Sequence, residues 1–225
     1  MPKRLELAVF DADGTLTRIT SIWQYLHQRF GTWNQGRMTA LRYYKGEITY
    51  DEWARLDALM WRGRELSEVL RVVQDIPFID GAIHSFKLLK EYGMKIAVAS
   101  AGLSFLANRT VRELGADMAV ANELAVIDGR LTGDVRIKVS MENKRDVIRE
   151  IAKVFDVSMK ECAVIGDYRY DIPEDAGLKI AFNPKDDEVE RLADVIVESS
   201  DLKDVLSHLI WNETSPNVGP KSFSH

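Results

Sequence analysis

Cysteine is nearly absent from this sequence. Cys162 is the one cysteine among 225 residues, and it lies in the apolar run Cys-Ala-Val-Ile-Gly. A single cysteine excludes an internal disulfide framework, so we expect a reducing compartment and interpret Cys162 as a small buried hydrophobic residue.

Long hydrophobic runs and a strong excess of one charge are also absent. No apolar stretch approaches the roughly 20 residues that a membrane-spanning helix requires. The apolar run near the N-terminus is interrupted by Glu6 and Asp11 and is too short for a signal peptide. The formal net charge of −5 gives no reason to expect nucleic acid or an anionic membrane as a partner. The sequence therefore predicts a cytoplasmic protein.

Short apolar runs that are typical of buried parallel strands recur along the chain. They span residues 5–11, 95–100, 161–167, 179–183 and 193–198. Helical patterns lie between most of them; in one of these, residues 81–93, Ile83, Phe86, Leu88 and Leu89 share a stripe that ends at Gly93. Strands that alternate with helices predict an α/β fold with a doubly wound, Rossmann-like parallel sheet.

Two segments interrupt this alternation. Asp128-Gly129, inside residues 122–139, predicts a β-hairpin. Residues 19–76 contain no convincing strand and hold four of the five tryptophans, which we interpret as core residues of a helical cap inserted after the first strand. The predicted division is a catalytic core over 1–18 and 77–211, a cap over 19–76 and a flexible C-terminal tail over 212–225.

Polar residues follow the predicted strands where a doubly wound sheet binds ligands, beyond the carboxyl ends of its strands. Lys144 precedes a predicted helix and would face the same edge. The candidate residues after the strands are Asp11, Asp13, Thr15, Ser100, Ala101, Gly102, Asp167 and Asp171. Taken singly, an aspartate after a strand is often only a turn former or helix cap. Together, these residues predict one site.

Carboxylates a few ångströms apart repel one another unless a cation lies between them. Mg²⁺ prefers oxygen ligands, so Asp11 and Asp167 are candidate direct ligands, with a backbone carbonyl near Asp13 as another. Ser100 and the amides of Ala101 and Gly102, predicted at a helix start, would bind phosphate oxygens together with Lys144. An aspartate such as Asp11 can attack phosphorus, and Asp13 could then act as general acid and base.

The motifs Asp-Ala-Asp-Gly-Thr at 11–15, Ser-Ala-Gly-Leu-Ser at 100–104, Lys144 and Gly-Asp-Tyr-Arg-Tyr-Asp at 166–171 resemble, in order, the four motifs of the haloacid dehalogenase superfamily. The layout is similar to its phosphoserine phosphatase-like branch, in which a helical cap follows the first motif. The resemblance implies an Mg²⁺-dependent phosphatase that hydrolyses a small phosphorylated metabolite through an aspartyl-phosphate.

The resemblance also implies a role for each candidate residue. Asp11 would be the nucleophile and a metal ligand, and Asp13 the acid and base whose carbonyl also binds the metal. Ser100 and Lys144 would bind phosphate, and Asp167 would bind the metal. Asp171 and Thr15 would support the site, Asp171 by holding Asp167 or Lys144.

Three departures from the phosphoserine phosphatase pattern concern the substrate. Thr20 stands nine residues after Asp11, where those enzymes usually carry a glutamate for the substrate amine. Tyr168 and Tyr170 interrupt the last motif, and Ala101 replaces a common glycine. These changes favour a small phosphomonoester other than phosphoserine. The arginines Arg42, Arg55, Arg62 and Arg64 are candidates for binding an acidic substrate, but arginines in such positions are more often solvated side chains on a helix, and none is assigned to the site.

Other functions stay open at this point. A receiver domain also forms an aspartyl-phosphate on a doubly wound sheet, but it is shorter and has no place for a helical insertion. A phosphotransferase would share the first half-reaction and pass the phosphoryl group to an alcohol or sugar. A non-catalytic binding protein is disfavoured by the complete set of candidate residues. A homodimer is neither required nor excluded by the sequence.

Overall fold

A seven-stranded sheet forms the centre of this computed structural model, which describes residues 4–210. The strands are β1 (Leu7–Phe10), β2 (Lys95–Leu103), β3 (Met118–Ile127), β4 (Arg130–Arg136), β5 (Cys162–Gly166), β6 (Leu178–Phe182) and β7 (Val195–Val197). Their order is β4-β3-β2-β1-β5-β6-β7, and every neighbouring pair is parallel except β3–β4. The predicted α/β fold and all five predicted parallel strands are confirmed, but the edge strand β7 is not buried, since Ile196 is 48% exposed.

Strand β1 lies between β2 and β5, where the chain changes its direction of winding across the sheet. Its side chains alternate between the two faces of the sheet. Ala8 and Phe10 pack into one apolar cluster, whereas Leu7 and Val9 pack into the cluster on the other side. Because both faces are covered, β1 is apolar throughout, and Asp11 follows directly at the topological switch point where ligands bind in such sheets.

The helices connect and cover the strands. Their bounds are α1 (Ile22–Phe30), α2 (Trp33–Tyr44), α3 (Tyr50–Met60), α4 (Leu66–Gln74), α5 (Ala82–Glu91), α6 (Ser104–Arg109), α7 (Lys144–Val154), α8 (Asp187–Leu192) and α9 (Leu206–Leu209). Helix α6 continues into a π-helical turn over Thr110–Leu114. The predicted apolar stripe of α5 is wrong at Ile83, which is 65% exposed, whereas Phe86 and Leu89 are buried. No helix within residues 4–210 combines the length and apolar character needed to cross a bilayer.

The predicted hairpin is formed by β3 and β4. Asp128 and Gly129 have φ values of 48° and 72°, the left-handed backbone of a two-residue hairpin turn. The hairpin binds the loop between α3 and α4, because the Gly63 amide donates to the Leu131 carbonyl at 2.8 Å.

Helices α1–α4 lie in the segment predicted as a cap. They share an apolar cluster with side chains of β2, α6 and the hairpin: Leu103, Leu106, Leu124 and Leu131. Of the four tryptophans in the segment, Trp61 is fully buried and Trp23 nearly so, as a core requires, whereas Trp33 and Trp53 are half-buried. The domain bounds at 18/19 and 76/77 stay a prediction, and the predicted tail, residues 212–225, lies outside the described residues.

Candidate active site

The turn after β1 places Asp11 and Asp13 at the carboxyl edge of the sheet. The Asp11 amide still continues the ladder and donates to the Ile165 carbonyl of β5 at 2.9 Å. Gly14 then adopts a φ of +92°, and a Cβ atom there would lie 2.1 Å from Asp167 Oδ2. Only glycine therefore allows the turn to approach Asp167 this closely.

Lys144 joins two carboxylates. It is the first residue of α7, and its ammonium contacts Asp11 Oδ1 directly and lies 2.6 Å from Asp171 Oδ1. Burial lowers the pKa of Lys144, but the charges of Asp11 and Asp171 and their hydrogen bonds outweigh it and raise the pKa above its ordinary value. Lys144 therefore carries a positive charge in the centre of the site.

Asp171 is fixed on both oxygens. Its Oδ1 faces Lys144, and its Oδ2 accepts hydrogen bonds from the amides of Asp167 and Tyr168 at 3.1 Å and 2.8 Å. A Cβ at Gly166 would lie 2.3 Å from the Asp171 Cβ, so this turn is as closely packed as the first. Asp171 therefore both orients Lys144 and shapes the loop that carries Asp167.

The candidate metal site contains Asp11 and Asp167. One oxygen each of Asp11, Asp167 and Asp171 lies within 4.8 Å of the others. Burial raises the pKa of Asp167 to about 9, and the neighbouring charges of Asp11 and Asp171 add to the rise. Burial likewise raises the pKa of Asp11 to about 7, although Lys144 opposes it. Asp11 Oδ2 has no hydrogen-bond partner among the described residues. Such crowded, underbonded carboxylate oxygens suit a hard divalent cation.

Asp13 is hydrogen-bonded to the start of α1. Its Oδ2 accepts a hydrogen bond from the Ile22 amide at 2.8 Å, whereas its Oδ1 is buried and has no partner within residues 4–210. Burial raises the pKa of Asp13 to about 6, against the lowering effects of the Ile22 hydrogen bond and Lys144. A carboxyl with this pKa can take up and release a proton near neutral pH.

The predicted phosphate-binding residues, Ser100 to Gly102, lie near the end of β2; we call them the phosphate loop. Ser100 is 2% exposed, and its Oγ accepts a hydrogen bond from the Gly102 amide at 3.0 Å. The structure corrects one detail, because α6 begins only at Ser104 and Ala101 and Gly102 are still extended backbone of β2. Their amides lie before the helix start rather than in its first turn.

Asn122 of β3 is a site residue that the sequence reasoning missed. Its Nδ2 donates to the carbonyls of Ala101 and Val139 at 2.9 Å and 2.8 Å, and its Oδ1 accepts from the amides of Lys138 and Val139. It therefore ties the phosphate loop to the segment that leads to Lys144. An asparagine inside an apolar strand run, where this residue type is depleted, was the available signal.

The remaining sequence candidates are Thr15, Thr20 and the four arginines. Thr15 is fully buried in the turn after Asp13, and its Oγ1 has no partner among the described residues. Thr20 lines a cavity that opens above the aspartates. None of the arginine candidates lines that cavity, within the part of the chain that the structure describes. On the surface, Arg42 Nε lies 3.8 Å from Glu47 Oε2. The Arg64 guanidinium donates a hydrogen bond to the Phe30 carbonyl at 2.8 Å.

The cavity has a volume of about 370 Å³ and lies between helices α1–α3 and the carboxyl edge of the sheet. Asp11, Asp13, Ser100, Ala101, Gly102, Lys144, Asp167 and Asp171 all line it. The structure thus brings Lys144 and the candidates that follow the predicted strands to one cavity, except Thr15, which is fully buried and does not line it.

Residues 8–173 match the family model of the haloacid dehalogenase-like hydrolases. The chain belongs to this family. The resemblance inferred from the four motifs is confirmed, and the chain is a phosphatase of this family, a hydrolase that acts on phosphomonoesters.

Several curated relatives are named phosphoserine phosphatase. That of Methanocaldococcus jannaschii is 31% identical over 212 residues, which cover 93% of this chain and all of the relative. That of Archaeoglobus fulgidus is 33% identical over 183 residues, which cover 80% of this chain but only 53% of the relative. A solved structure of a phospho-aspartyl intermediate analogue of phosphoserine phosphatase has a TM-score of 0.79 at 29% identity and covers 92% of this chain and all of that chain.

Proposed function

We propose that this protein is an Mg²⁺-dependent phosphomonoesterase in which Asp11 attacks the phosphorus of a small phosphorylated metabolite. The observation that carries the assignment is the arrangement of Asp11. It lies at the topological switch point, contacts Lys144 through Oδ1 and keeps Oδ2 without a partner among the described residues. The related solved structure of a phospho-aspartyl intermediate analogue supports the same chemistry.

In the first step, an Asp11 oxygen forms a bond to phosphorus and the bond from phosphorus to the ester oxygen breaks. Protonated Asp13 gives its proton to the leaving oxygen, so an alcohol departs and an aspartyl-phosphate remains. The Asp13 carboxylate then takes a proton from a water molecule, which attacks phosphorus and releases inorganic phosphate from Asp11. A pKa of about 6 allows Asp13 to serve in both steps.

Asp11 and Asp167 would hold Mg²⁺, with the Asp13 backbone carbonyl beside them. When bound, the cation neutralises the phosphate charge that the carboxylates would otherwise repel. Asp171 takes no direct part in this binding, because both its oxygens are already engaged. Its role would be to hold Lys144, which with Ser100 and the amides of Ala101 and Gly102 would bind the phosphate oxygens.

The test is phosphate release from small phosphomonoesters with and without Mg²⁺, comparing the wild type with Asp11→Asn. We expect release to require Mg²⁺ and to fall at least about a thousandfold in Asp11→Asn, since the nucleophile is lost. Asp134→Asn makes the same chemical change at an exposed carboxylate of β4 and is expected to leave release unchanged.

Three other outcomes would contradict the proposal. Turnover of Asp11→Asn close to that of the wild type, with both variants folded, would remove Asp11 from the nucleophile role. A phosphoryl group that stays on Asp11 for long periods would instead indicate a receiver. Phosphoryl transfer to an added alcohol in place of water would indicate a phosphotransferase.

A further inference from the structure

The cavity above the aspartates is walled by aromatic rings. Helices α1–α3 contribute Trp23, Trp33, Tyr44, Tyr50 and Trp53, and the loop after β5 contributes Tyr168 and Tyr170; we call these residues the aromatic wall. The sequence reasoning assigned the tryptophans of this segment to the core. Three of those four tryptophans line the cavity: Trp33 and Trp53 are half-buried there, and Trp23 belongs to the buried cluster as well.

The aromatic wall begins directly beside the predicted phosphate position. Trp23 Nε1 donates to the Ala101 carbonyl at 3.2 Å, and the Tyr50 hydroxyl donates to the same carbonyl. On the other side, Tyr168 follows Asp167 in the chain. A phosphoryl group beside Ser100 and Asp11 would therefore project its organic substituent between these rings.

The rings hold one another in place. The Tyr50 and Trp53 rings meet edge to face with centroids 5.7 Å apart, and the Tyr44 ring lies 5.9 Å from Trp53. Tyr168 and Tyr170 lie 5.6 Å apart, while Trp61 stacks on Trp23 from the core side at 5.6 Å. Such a preorganised surface favours ring edges and faces over flexible polar groups.

The cavity offers few partners for a charged organic group. Outside the aspartates and Lys144, its acidic and basic lining residues among those described are His27, Asp57 and the exposed Lys185. Asp57 Oδ2 lies 3.1 Å from His27 Nε2, Asp57 Oδ1 accepts from Thr39 at 2.6 Å, and both the His27 and Asp57 side chains are at most 2% exposed. Asp57 and His27 are thus paired with each other, so an amino acid's ammonium would lose water without a free carboxylate to compensate it, apart from the aspartates at the phosphate position. Among the charged lining residues described, its carboxylate could pair with the exposed, solvent-screened Lys185.

We propose that the physiological substrate is the phosphomonoester of an alcohol that carries one aromatic or heteroaromatic ring. This inference rests on the proposed phosphatase function and specifies its substrate class. The volume of about 370 Å³, which includes the phosphate position, lies at the small end of ligand sites and suits a single ring.

The test compares kcat/KM for three Mg²⁺-supported substrates that all release a primary alcohol: benzyl phosphate, cyclohexylmethyl phosphate and O-phospho-L-serine. Benzyl and cyclohexylmethyl groups have similar bulk, but only the first is flat and aromatic. We expect benzyl phosphate to exceed cyclohexylmethyl phosphate by about threefold to tenfold, the range that ring–ring contacts supply. We expect it to exceed O-phospho-L-serine by about a hundredfold, because the serine ammonium lacks a free carboxylate partner and its carboxylate meets only a solvent-screened lysine.

Acetyl phosphate distinguishes a failure of the phosphatase function from a failure of the aromatic substrate class. It has no ring, so its hydrolysis reports only the reaction of Asp11 with a phosphoryl group. If acetyl phosphate is hydrolysed but phosphoserine is the best ester, or the cyclohexyl and benzyl esters are equal, the aromatic inference is wrong while the phosphatase function stands. If neither acetyl phosphate nor any of the three esters is hydrolysed, the proposed function fails and the inference falls with it.

Variants of Trp33 test the aromatic wall itself. Trp33 begins α2 and is half-buried at the cavity. We expect Trp33→Leu to lower the ratio of benzyl to cyclohexylmethyl kcat/KM by about threefold, and Trp33→Phe to retain most of it. Because the readout is a ratio, a general loss of active enzyme cancels. Tyr25→Leu, on α1 but outside the cavity lining, should leave the ratio unchanged; an unchanged ratio in Trp33→Leu as well would remove Trp33 from the proposed surface.

Discussion

At the scale of single residues, the site depends on one lysine and two close-packed turns. Buried aspartates repel one another, and Lys144 offsets that repulsion by contacting Asp11 and Asp171 together. Gly14 and Gly166 allow the backbone to approach Asp167 and Asp171 where a side chain would collide with them. The positions of the Asp167 and Asp171 carboxylates therefore depend on the backbone at these two glycines as well as on the contact with Lys144.

Gly14→Ala tests this point. The new Cβ would lie 2.1 Å from Asp167 Oδ2, so Asp167 must move, and we expect kcat/KM to fall about a hundredfold. Gly115→Ala is the matched control: Gly115 also has a positive φ, of 83°, but a Cβ there meets nothing within 4 Å. Both variants should lose about 1–2 kcal/mol of stability from backbone strain in chemical unfolding. Equal activities of the two variants would contradict the role assigned to Gly14.

At the scale of secondary-structure elements, the site depends on the spacing between the end of β2, strand β3 and the segment before α7. The first of these carries the phosphate loop, and the last leads to Lys144. Asn122 fixes this spacing, since one buried amide group binds Ala101, Lys138 and Val139. Trp23 of α1 and Tyr50 of α3 donate hydrogen bonds to the same Ala101 carbonyl. The phosphate loop is thereby joined to the cap segment as well as to the strand beside it.

Asn122→Ala tests this connection. Removing the side chain leaves the Lys138 and Val139 amides without their acceptor, and we expect stability to fall by about 3 kcal/mol. Activity should fall by about tenfold beyond any loss of folded protein, because the phosphate loop is less well held. Both quantities are measurable by chemical unfolding and by kcat/KM on the folded fraction.

Asp117→Ala supplies the control for Asn122. Asp117 accepts a hydrogen bond from the Ile96 amide at 2.8 Å at the amino ends of the same strands, away from the site. It should cost stability without changing kcat/KM. If Asn122→Ala behaves in the same way, Asn122 is structural only.

At the scale of the whole molecule, the site opposes folding when the cation is absent. Asp11 and Asp167 have pKa values of about 7 and about 9 in the folded chain, against an ordinary value of 3.8. Between the ordinary and the raised values, the folded state binds more protons than the unfolded state. The free energy of unfolding must therefore decrease as pH rises through this range.

Chemical unfolding in EDTA from about pH 5.5 to about pH 8.5 tests this expectation. We expect stability to decline with rising pH, and the decline to be smaller in Asp167→Asn, which removes the carboxylate with the larger shift. Glu190→Gln, at an exposed position of α8, should keep the wild-type slope. Mg²⁺ should restore more stability at the higher pH, because its ligands must be deprotonated. Stability that rises with pH in EDTA would contradict this account.

Much of the site could be predicted because strand ends are visible in sequence. A run such as Leu7–Phe10 that ends in Asp11 places a carboxylate at a known edge of a parallel sheet, and the same holds for Asp167. The hairpin at Asp128-Gly129 was equally predictable, since its left-handed backbone favours these residues. Local backbone chemistry is enough for such assignments.

Only the tertiary structure determined which residues, or which cavity, each helix face and each buried polar side chain contacts. Helical periodicity does not distinguish a face that packs on the core from one that lines a cavity, so Trp33 and Trp53 were predicted as core residues and Ile83 as buried. The partners of Asn122 are fixed by the register of β2 and β3, which brings together residues distant in the chain. The sequence by itself therefore determined the chemistry at the edge of the sheet, whereas only the packing of the helices above it decided which organic group that chemistry can reach.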